Sequence, residues 1–202
     1  MTDADLQQRL SVAGYDCGPI DGKRGPKTYA ALFEYVAGRK LGATAQALGR
    51  GANAHFGDTI NTPLRISHFI AQGAHETGGF IFFKELGGPS YFKKYDGRKD
   101  LGNVKAGDGA LFAGRGMFQL TGRANYTQAS KETGIDFVNN PHRASYPELS
   151  VLLAVNYWKS RNINPKADAD DLEGVTRKIN GGLNGLADRA KYLARAKAVI
   201  LP

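Results

Sequence analysis

Apolar residues recur in this chain at helical spacing, and no long run shows the alternation typical of β-strands. Residues 61–76, NTPLRISHFIAQGAHE, give the strongest signal. Thr62 suits an N-cap and Pro63 suits the first helical position, while Gly78 and Gly79 suit the end of the helix. The face expected in the core comprises Ile66, Phe69, Ile70 and Gly73.

The same periodicity predicts a mostly α fold. A break is expected in the third helix near Gly49–Gly51, because glycine weakens a helix interior. Residues 86–113 are rich in glycine and basic residues, which predicts a long loop. The other predicted helices cover residues 3–13, 27–38, 41–57, 122–133, 147–161, 168–180 and 186–200.

Charge and cysteine content exclude several classes of protein. The 202 residues carry a formal net charge of +8, which favours binding to a polyanion such as nucleic acid, an anionic membrane or an acidic wall polymer. Cys17 is the single cysteine, so neither an intramolecular disulfide nor a cysteine-based zinc site is possible.

Two glutamates, Glu76 and Glu85, lie nine residues apart in AHETGGFIFFKELGG, residues 74–88. They are interpretable as surface charges, as part of a metal site or as an acid/base pair. A zinc-protease motif would need a second histidine at Gly79, so no metal or other cofactor is expected. His75 alone is more typical of a hydrogen-bonded structural histidine than of a catalytic one.

Cleavage of a glycosidic bond needs two carboxyl groups, of which one is protonated. The last turn of a helix disfavours a charged carboxylate, and Glu76 is expected there. The apolar residues Phe80, Ile81, Phe82 and Phe83 are expected to shield it from water. From the residues alone, surface charge and acid/base chemistry both stay open.

Three blocks together resemble glycoside hydrolase family 19, which contains chitinases and many bacteriophage endolysins. They are AHETGGF, then AGRGMFQLTGRANY (113–126), then INGGLNGLADRAKY (179–192). The short interval between the glutamates looks like the endolysin branch. The resemblance implies an inverting enzyme with a lysozyme-like helical catalytic domain, here residues 39–202.

The resemblance also implies roles for individual residues. Glu76 matches the general acid, Glu85 the general base, and Thr121 the hydroxyl that holds the attacking water. Arg189 is expected near the carboxylates, where a guanidinium would stabilise an ionised Glu85. The substrate-binding positions implied are His75, Gln119, Asn125, Tyr126, Asn180 and Arg189.

The N-terminal segment, residues 1–38, resembles part of a small peptidoglycan-binding module. The alternative is a helix-turn-helix that props the catalytic domain. The matching positions are Leu6, Gln7, Leu10, Gly14, Tyr15, Gly18, Ile20, Asp21, Gly22, Gly25, Thr28 and Leu32. Wall contact is expected from Tyr15, Asp21 and Thr28.

Three further features have competing interpretations. Arg115 is expected to be a structural salt-bridge residue rather than a catalytic one. The basic and aromatic segment 92–103 is expected to be a solvated loop that borders the cleft, because no nucleic-acid-binding module accompanies it. The last helix is basic and amphipathic, so its apolar face is expected to be core, with a weak contact with anionic membranes as the alternative.

These observations predict an endolysin that hydrolyses β-1,4 bonds of peptidoglycan, as an N-acetylmuramidase. The alternatives are a chitinase, a non-catalytic wall-binding protein and a basic nucleic-acid binder. The first ten residues, MTDADLQQRL, lack a secretory pattern, and no apolar run is long enough to span a membrane. We therefore expect a monomer made in the host cytoplasm and released to the periplasm or wall by a holin-like partner.

Overall fold

The protein is mostly helical, as predicted. The computed structural model describes residues 1–201, and within them the only β-type pairings are two isolated bridges, Lys84–Arg115 and Arg115–Leu120. The helices are α1 Asp3–Val12, α2 Pro26–Ala37, α3 Ala43–His55, α4 Pro63–Glu76, α5 Pro89–Phe92, α6 Asp108–Leu111, α7 Arg123–Thr133, α8 Pro147–Ser160, α9 Asn164–Asp168, α10 Leu172–Asn180 and α11 Leu186–Ile200. Short 3₁₀ turns cover Lys93–Tyr95, Lys99–Leu101 and Pro141–Ser145.

Helix α4 begins and ends where the sequence predicts. The Thr62 hydroxyl accepts a hydrogen bond from the Arg65 amide at 3.2 Å, and Pro63 is the first helical residue. The predicted core face of α4 is buried. Helix α10, in contrast, begins at Leu172 rather than 168, because the Asp171 carboxylate caps it by accepting from the Gly174 amide at 2.7 Å.

The predicted break in α3 is wrong, because the helix is continuous from Ala43 to His55. Its glycines instead permit close packing. A Cβ atom at Gly49 would lie 2.2 Å from the Pro26 carbonyl oxygen, and one at Gly51 would lie 2.7 Å from that of Glu148. These positions therefore let the backbones of α2 and α8 approach α3.

Helix α4 occupies the centre of the main hydrophobic core. The Phe69 ring lies 5.1 Å from the ring of Phe56 and 5.5 Å from that of Trp158, measured between centroids. Such edge and tilted contacts are the favoured geometry of aromatic pairs. A smaller core lies beside α7 and includes Phe112, Tyr126, Ala129, Phe137, Ala144 and Leu153.

Residues 1–38 share the main core with the rest of the chain. Leu6, Leu10, Leu32 and Phe33 are buried in the same cluster as Phe69 and Trp158. The predicted domain boundary between residues 38 and 39 therefore falls within one continuous hydrophobic core. This packing suits the prop that the sequence allowed as an alternative, and a wall-binding role of the segment stays a prediction.

The three residues expected to touch the wall make structural contacts within this segment. The Asp21 carboxylate accepts from the Gln7 amide at 3.0 Å, and Thr28 is buried with its hydroxyl on the Cys17 carbonyl at 3.4 Å. Tyr15 packs edge-on against Tyr35. Of the three side chains, that of Thr28 is too deeply buried to contact a ligand.

The apolar face of α11 is core, which confirms the first interpretation of that helix. Leu193, Ala196, Val199 and Ile200 are buried against the rest of the protein. These four side chains are therefore occupied by packing within the folded protein. Among residues 1–201, no helix is long and apolar enough to cross a membrane.

Gly49→Ala should destabilise the protein although alanine is the better helix former. The added methyl group would press on a backbone carbonyl that cannot move aside. Overpacking costs about 1–3 kcal/mol, so we expect the free energy of unfolding to fall by roughly 2 kcal/mol in urea titrations.

Gly25→Ala is the matched control, since a Cβ atom there meets nothing within 4 Å. Because alanine is a poorer N-cap than glycine, the control should lose roughly 0.5–1 kcal/mol, less than Gly49→Ala. A Gly49→Ala variant as stable as the control would contradict the packing described for α3.

Candidate active site

Glu76 is the last residue of α4 and is paired with a buried arginine. Its Oε1 accepts from Arg189 Nη2 at 2.5 Å, and the Arg189 side chain is fully buried while that of Glu76 is 18% exposed. Arg189 also donates to Gln72 Oε1 and, from Nε at 3.0 Å, to the Asn184 carbonyl. The prediction that Arg189 stabilises an ionised Glu85 is wrong, because the guanidinium donates its hydrogen bonds to Glu76 and to two neighbouring groups.

The turn after Glu76 has an unusual backbone. Gly78, Gly79 and Phe80 all have positive φ angles, of 59°, 72° and 66°. Burial stabilises Phe80 in this strained conformation, and its ring lies 5.1 Å from that of Phe33. Arg39 stabilises the turn by donating hydrogen bonds to the carbonyls of Gly78 at 3.1 Å and Gly79 at 2.5 Å.

The expected apolar shielding of Glu76 is only half present. Phe80 and Phe83 are buried, but Ile81 and Phe82 are each about half exposed. Both side chains are therefore open to solvent. Desolvation by all four residues was therefore a wrong expectation.

Glu85 is held by hydroxyl and amide donors. Its Oε1 accepts from Tyr91 Oη at 3.0 Å and from Tyr95 Oη at 2.9 Å, while Oε2 accepts from the Gly114 amide at 3.1 Å. Lys94 Nζ lies 3.9 Å from Oε1. The surroundings of Glu85 are therefore different in kind from those of Glu76.

Burial and the nearby Glu85 carboxylate both raise the pKa of the Tyr95 hydroxyl. That hydroxyl consequently stays protonated and available as a donor at neutral pH. The pairing also confirms that segment 92–103 borders the site, as its composition predicted.

The loop of residues 113–121 connects both glutamates. It pairs with the chain at Glu85, whose amide donates to the Gly114 carbonyl at 2.8 Å. It also packs on α4 one turn before Glu76, because a Cβ atom at Gly73 would lie 2.3 Å from the sulfur of Met117. The loop thus sets the position of one carboxylate relative to the helix that carries the other.

Gln119 and Thr121 lie beside Glu85 in the structure. A Cβ atom at Gly114 would lie 2.5 Å from Gln119 Oε1, 3.1 Å from Glu85 Oε2 and 3.2 Å from Thr121 Oγ1. These three oxygen atoms therefore converge over Gly114. Gln119 has a positive φ of 52°, a second strained residue in the site.

A groove of about 330 Å³ runs from this loop between α7 and α8. Gln119, Thr121 and the exposed Asn125 line it, and Asn125 donates to the Thr121 carbonyl at 2.7 Å. Tyr157 forms part of the opposite wall. A cavity of about 420 Å³ between α2 and α3 is lined by none of the candidate site residues. The groove is the better candidate for a substrate site, because Gln119 and Thr121 in its wall lie beside Glu85.

Asn180 lies at the edge of the site region. It is exposed at the end of α10, one turn beyond Thr176. Thr176 accepts from Gln72 at 3.0 Å, and Gln72 lies one turn before Glu76 on α4. The end of α10 is therefore beside the helix that carries Glu76.

Tyr126 is not a sugar-binding residue, in contrast to the prediction. It is fully buried, its hydroxyl donates to the Ala113 carbonyl at 2.9 Å, and burial raises its pKa to about 12. Arg115 donates to the same hydroxyl and to the carbonyls of Leu111 and Ala113. Its structural role is confirmed, with carbonyl and hydroxyl acceptors in place of a carboxylate.

His75 is a hydrogen-bonded histidine, as its isolation in the sequence suggested. Its Nδ1 lies 2.8 Å from Asp188 Oδ2, which links α4 to α11. The ring also covers Gly185, where a Cβ atom would lie 2.0 Å from His75 Cε1. Among residues 1–201, no group of three or more histidine, cysteine, aspartate or glutamate side chains is placed to bind a metal ion.

Sequence reasoning missed Gln72, Tyr91 and Tyr95. Gln72 is buried on the face of α4 that carries Glu76 four residues later, so a polar residue in that apolar stripe was the available signal. The two tyrosines follow Glu85 in a segment that offered only its aromatic and basic composition.

Comparison with known proteins agrees with this arrangement. The family model for chitinase class I, glycoside hydrolase family 19, matches residues 32–177. The chain belongs to glycoside hydrolase family 19, which confirms the predicted enzyme class.

Among curated proteins, a family 19 domain-containing protein of Haemophilus influenzae is 38% identical over 151 residues, covering 61% of this chain and 74% of that protein. Endochitinase 1 of Theobroma cacao is 30% identical over 131 residues, covering 60% of this chain and 40% of its own. Chitinase 6 of Oryza sativa subsp. japonica is 30% identical over 129 residues, covering 63% and 46%. The chain spans less than half the length of these plant relatives.

Solved structures share the fold. A bacterial family 19 chitinase has a TM-score of 0.68 at 22% identity, covering 85% of this chain and 94% of its own. Chitinase C from Streptomyces griseus has a TM-score of 0.59 at 19% identity, covering 98% of this chain and 91% of its own. These likenesses confirm the predicted lysozyme-like helical architecture.

Gly114→Ala should reduce glycosidase activity much more than stability. The methyl group would displace the ends of the Glu85, Gln119 and Thr121 side chains, which can move without unfolding the protein. A displacement near 1 Å costs on the order of 100-fold in rate. Gly25→Ala again serves as the control, and full activity of Gly114→Ala would contradict the convergence of these groups.

Proposed function

We propose that this protein hydrolyses β-1,4 glycosidic bonds of bacterial peptidoglycan by an inverting mechanism that uses two glutamates. The observation that carries the proposal is the different environment of the two carboxyl groups. Glu76 contacts a buried guanidinium, whereas Glu85 accepts only from hydroxyl and amide donors within hydrogen-bond distance. Two carboxyl groups in unlike surroundings suit the separate roles of acid and base, and the assignment of the acid role to Glu76 rests on its place in the AHETGGF block.

In the proposed mechanism, Glu76 donates a proton to the oxygen of the leaving sugar. Glu85 takes a proton from a water molecule, and the water oxygen attacks the anomeric carbon from the opposite face. Thr121 helps to hold that water. Its hydroxyl already donates to the Gln119 carbonyl at 2.8 Å, so it is left to accept a hydrogen bond from the water.

The remaining groups fit the handling of a sugar chain. Asn125 and Gln119 present amides in the groove, and amides suit hydroxyl and N-acetyl groups. Asn180 and His75 stay proposals as substrate contacts, since each lies near Glu76 or its helix. No metal or other cofactor is part of the proposed reaction.

Peptidoglycan is preferred as substrate on two grounds. The net charge of +8 favours an acidic wall polymer, and Lys94 places positive charge beside Glu85. Residues 1–38 also resemble part of a peptidoglycan-binding module. We keep wall binding through Tyr15 and Asp21 as a proposal, with Thr28 supporting the segment from inside.

Chitin is the alternative substrate, favoured by the chitinases among the relatives and structural neighbours. The two polymers share β-1,4-linked N-acetylglucosamine units, so one cleft can suit both. A wall-binding protein without activity and a nucleic-acid binder remain different classes of function. The first predicts sedimentation with sacculi without lysis, and the second predicts salt-dependent gel shifts.

An endolysin role places the enzyme in a lysis sequence. In this proposal the monomer is made in the host cytoplasm and reaches the wall through a holin-like partner. Expression with and without a membrane-permeabilising protein tests that step, since lysis should need both.

Mass spectrometry of digests of purified sacculi and of chitin tests the substrate. We expect muropeptides that end in a reducing N-acetylmuramic acid from sacculi, and much slower release of oligomers from chitin. Fast release from chitin with intact sacculi would establish the chitinase alternative. No product from either polymer would leave a binding function.

Glu76→Gln should abolish product formation while the protein stays folded. The amide oxygen can still accept from Arg189, but the side chain has no acidic proton to donate. Glu173→Gln is the matched control, since Glu173 is exposed on α10 and pairs only with Arg177 at 3.7 Å. Turbidity loss of sacculi is the readout, and lysis by Glu76→Gln at the rate of the control would overturn its assignment as acid.

A further inference from the structure

The hydrogen-bond acceptors of Glu85 are almost completely occupied by the protein. A carboxylate offers about four acceptor positions, two on each oxygen. Tyr91 Oη and Tyr95 Oη fill both positions on Oε1, at 3.0 Å and 2.9 Å. The Gly114 amide fills one position on Oε2, at 3.1 Å. A single acceptor position, on Oε2, is left for a substrate or a water.

Oε2 is also the oxygen that lies beside Thr121 and Gln119. It converges with Thr121 Oγ1 and Gln119 Oε1 over Gly114. Thr121 uses its proton on the Gln119 carbonyl, so its lone pairs are available. A water between Thr121 and Glu85 would donate one proton to each and keep a lone pair for the anomeric carbon.

We propose that Tyr91 and Tyr95, the tyrosine pair, are positioning residues that occupy Oε1 and so make Oε2 of Glu85 the atom that accepts the proton. The inference rests on the proposed function, in which Glu85 is the general base. In the step, a water O–H bond breaks, its proton passes to Oε2 and the water oxygen bonds to the anomeric carbon. The departing sugar oxygen takes its proton from Glu76.

The tyrosine pair reaches Glu85 from a segment that is fastened on its far side. The Tyr95 carbonyl accepts from Asn103 Nδ2 at 2.9 Å, and Asp96 Oδ1 accepts from the Gly109 amide at 2.7 Å. Phe92 is buried between the two tyrosines in sequence. The hydroxyls are therefore presented by an anchored segment rather than by a free loop.

Lys94 completes the arrangement. Its ammonium lies 3.4 Å from the centroid of the Tyr91 ring and 4.7 Å from that of Tyr95. It also lies 3.9 Å from Glu85 Oε1, and no other ion pair to Glu85 occurs within residues 1–201. The cation holds the two rings over the carboxylate by cation–π attraction, which adds to the fixation of Oε1.

Without the two hydroxyls, the carboxylate could rotate about its last bond and offer either oxygen. Rotation would take Oε2 out of line with Thr121 for part of the time. This loss of alignment would lower the reaction rate without a direct contact between the tyrosines and the substrate.

The test is a Tyr91→Phe/Tyr95→Phe double variant, which keeps both rings and removes both hydroxyls. We expect kcat at the pH optimum to fall roughly 10- to 100-fold with KM nearly unchanged. Tyr146→Phe is the control, because Tyr146 is exposed and packs against His142 far along the chain.

Wild-type kcat in the double variant would overturn the proposal, and so would a raised KM with kcat unchanged. A fall in kcat in the double variant of an enzyme whose Glu85→Gln variant stays active would instead overturn Glu85 as the base.

Discussion

The buried guanidinium of Arg189 is the interaction on which the site depends. It is fully buried, and it satisfies the Asn184 carbonyl, Gln72 and Glu76 with its separate nitrogens. A buried cation is costly unless it is paired and hydrogen-bonded, so its partners fix α11 against α4. The His75–Asp188 contact at 2.8 Å joins the same two helices at a second point.

The second carboxylate is positioned through the loop of residues 113–121. That loop packs on Gly73 of α4 through Met117 and pairs with the chain at Glu85. One rigid helix therefore carries Glu76 and also supports the loop that orients Glu85. Phe80, in the turn after Glu76, and Gln119, in the loop beside Glu85, both have a strained backbone that surrounding contacts hold in place.

The sequence predicted the helices well because their apolar periodicity reflects burial directly. Thr62, Pro63 and the core face of α4 are local signals, and they are observed where expected. The predicted break in α3 was wrong because a glycine in a helix can either weaken the helix or permit close packing of another backbone. Without knowledge of which backbone approaches Gly49, close packing cannot be distinguished from weakness.

Site residues were predictable where a motif carries them and not where a distant partner decides their role. Glu76 and Arg189 are 113 residues apart, and nothing local indicates that they pair. Tyr126 follows a groove residue directly, but the helix turns it into the core. Tyr91 and Tyr95 reach Glu85 only because segment 86–95 folds back, and composition alone does not encode that path.

The central claim is that two carboxyl groups in unlike environments act on opposite faces of one sugar ring. The anomeric configuration of freshly released product tests it directly, by ¹H NMR within the first minutes of hydrolysis. Cleavage of a β-1,4 bond with inversion predicts the α-anomer first, followed by slow equilibration. Initial release of the β-anomer would mean retention, and would contradict the role of Glu85 as a base acting through water.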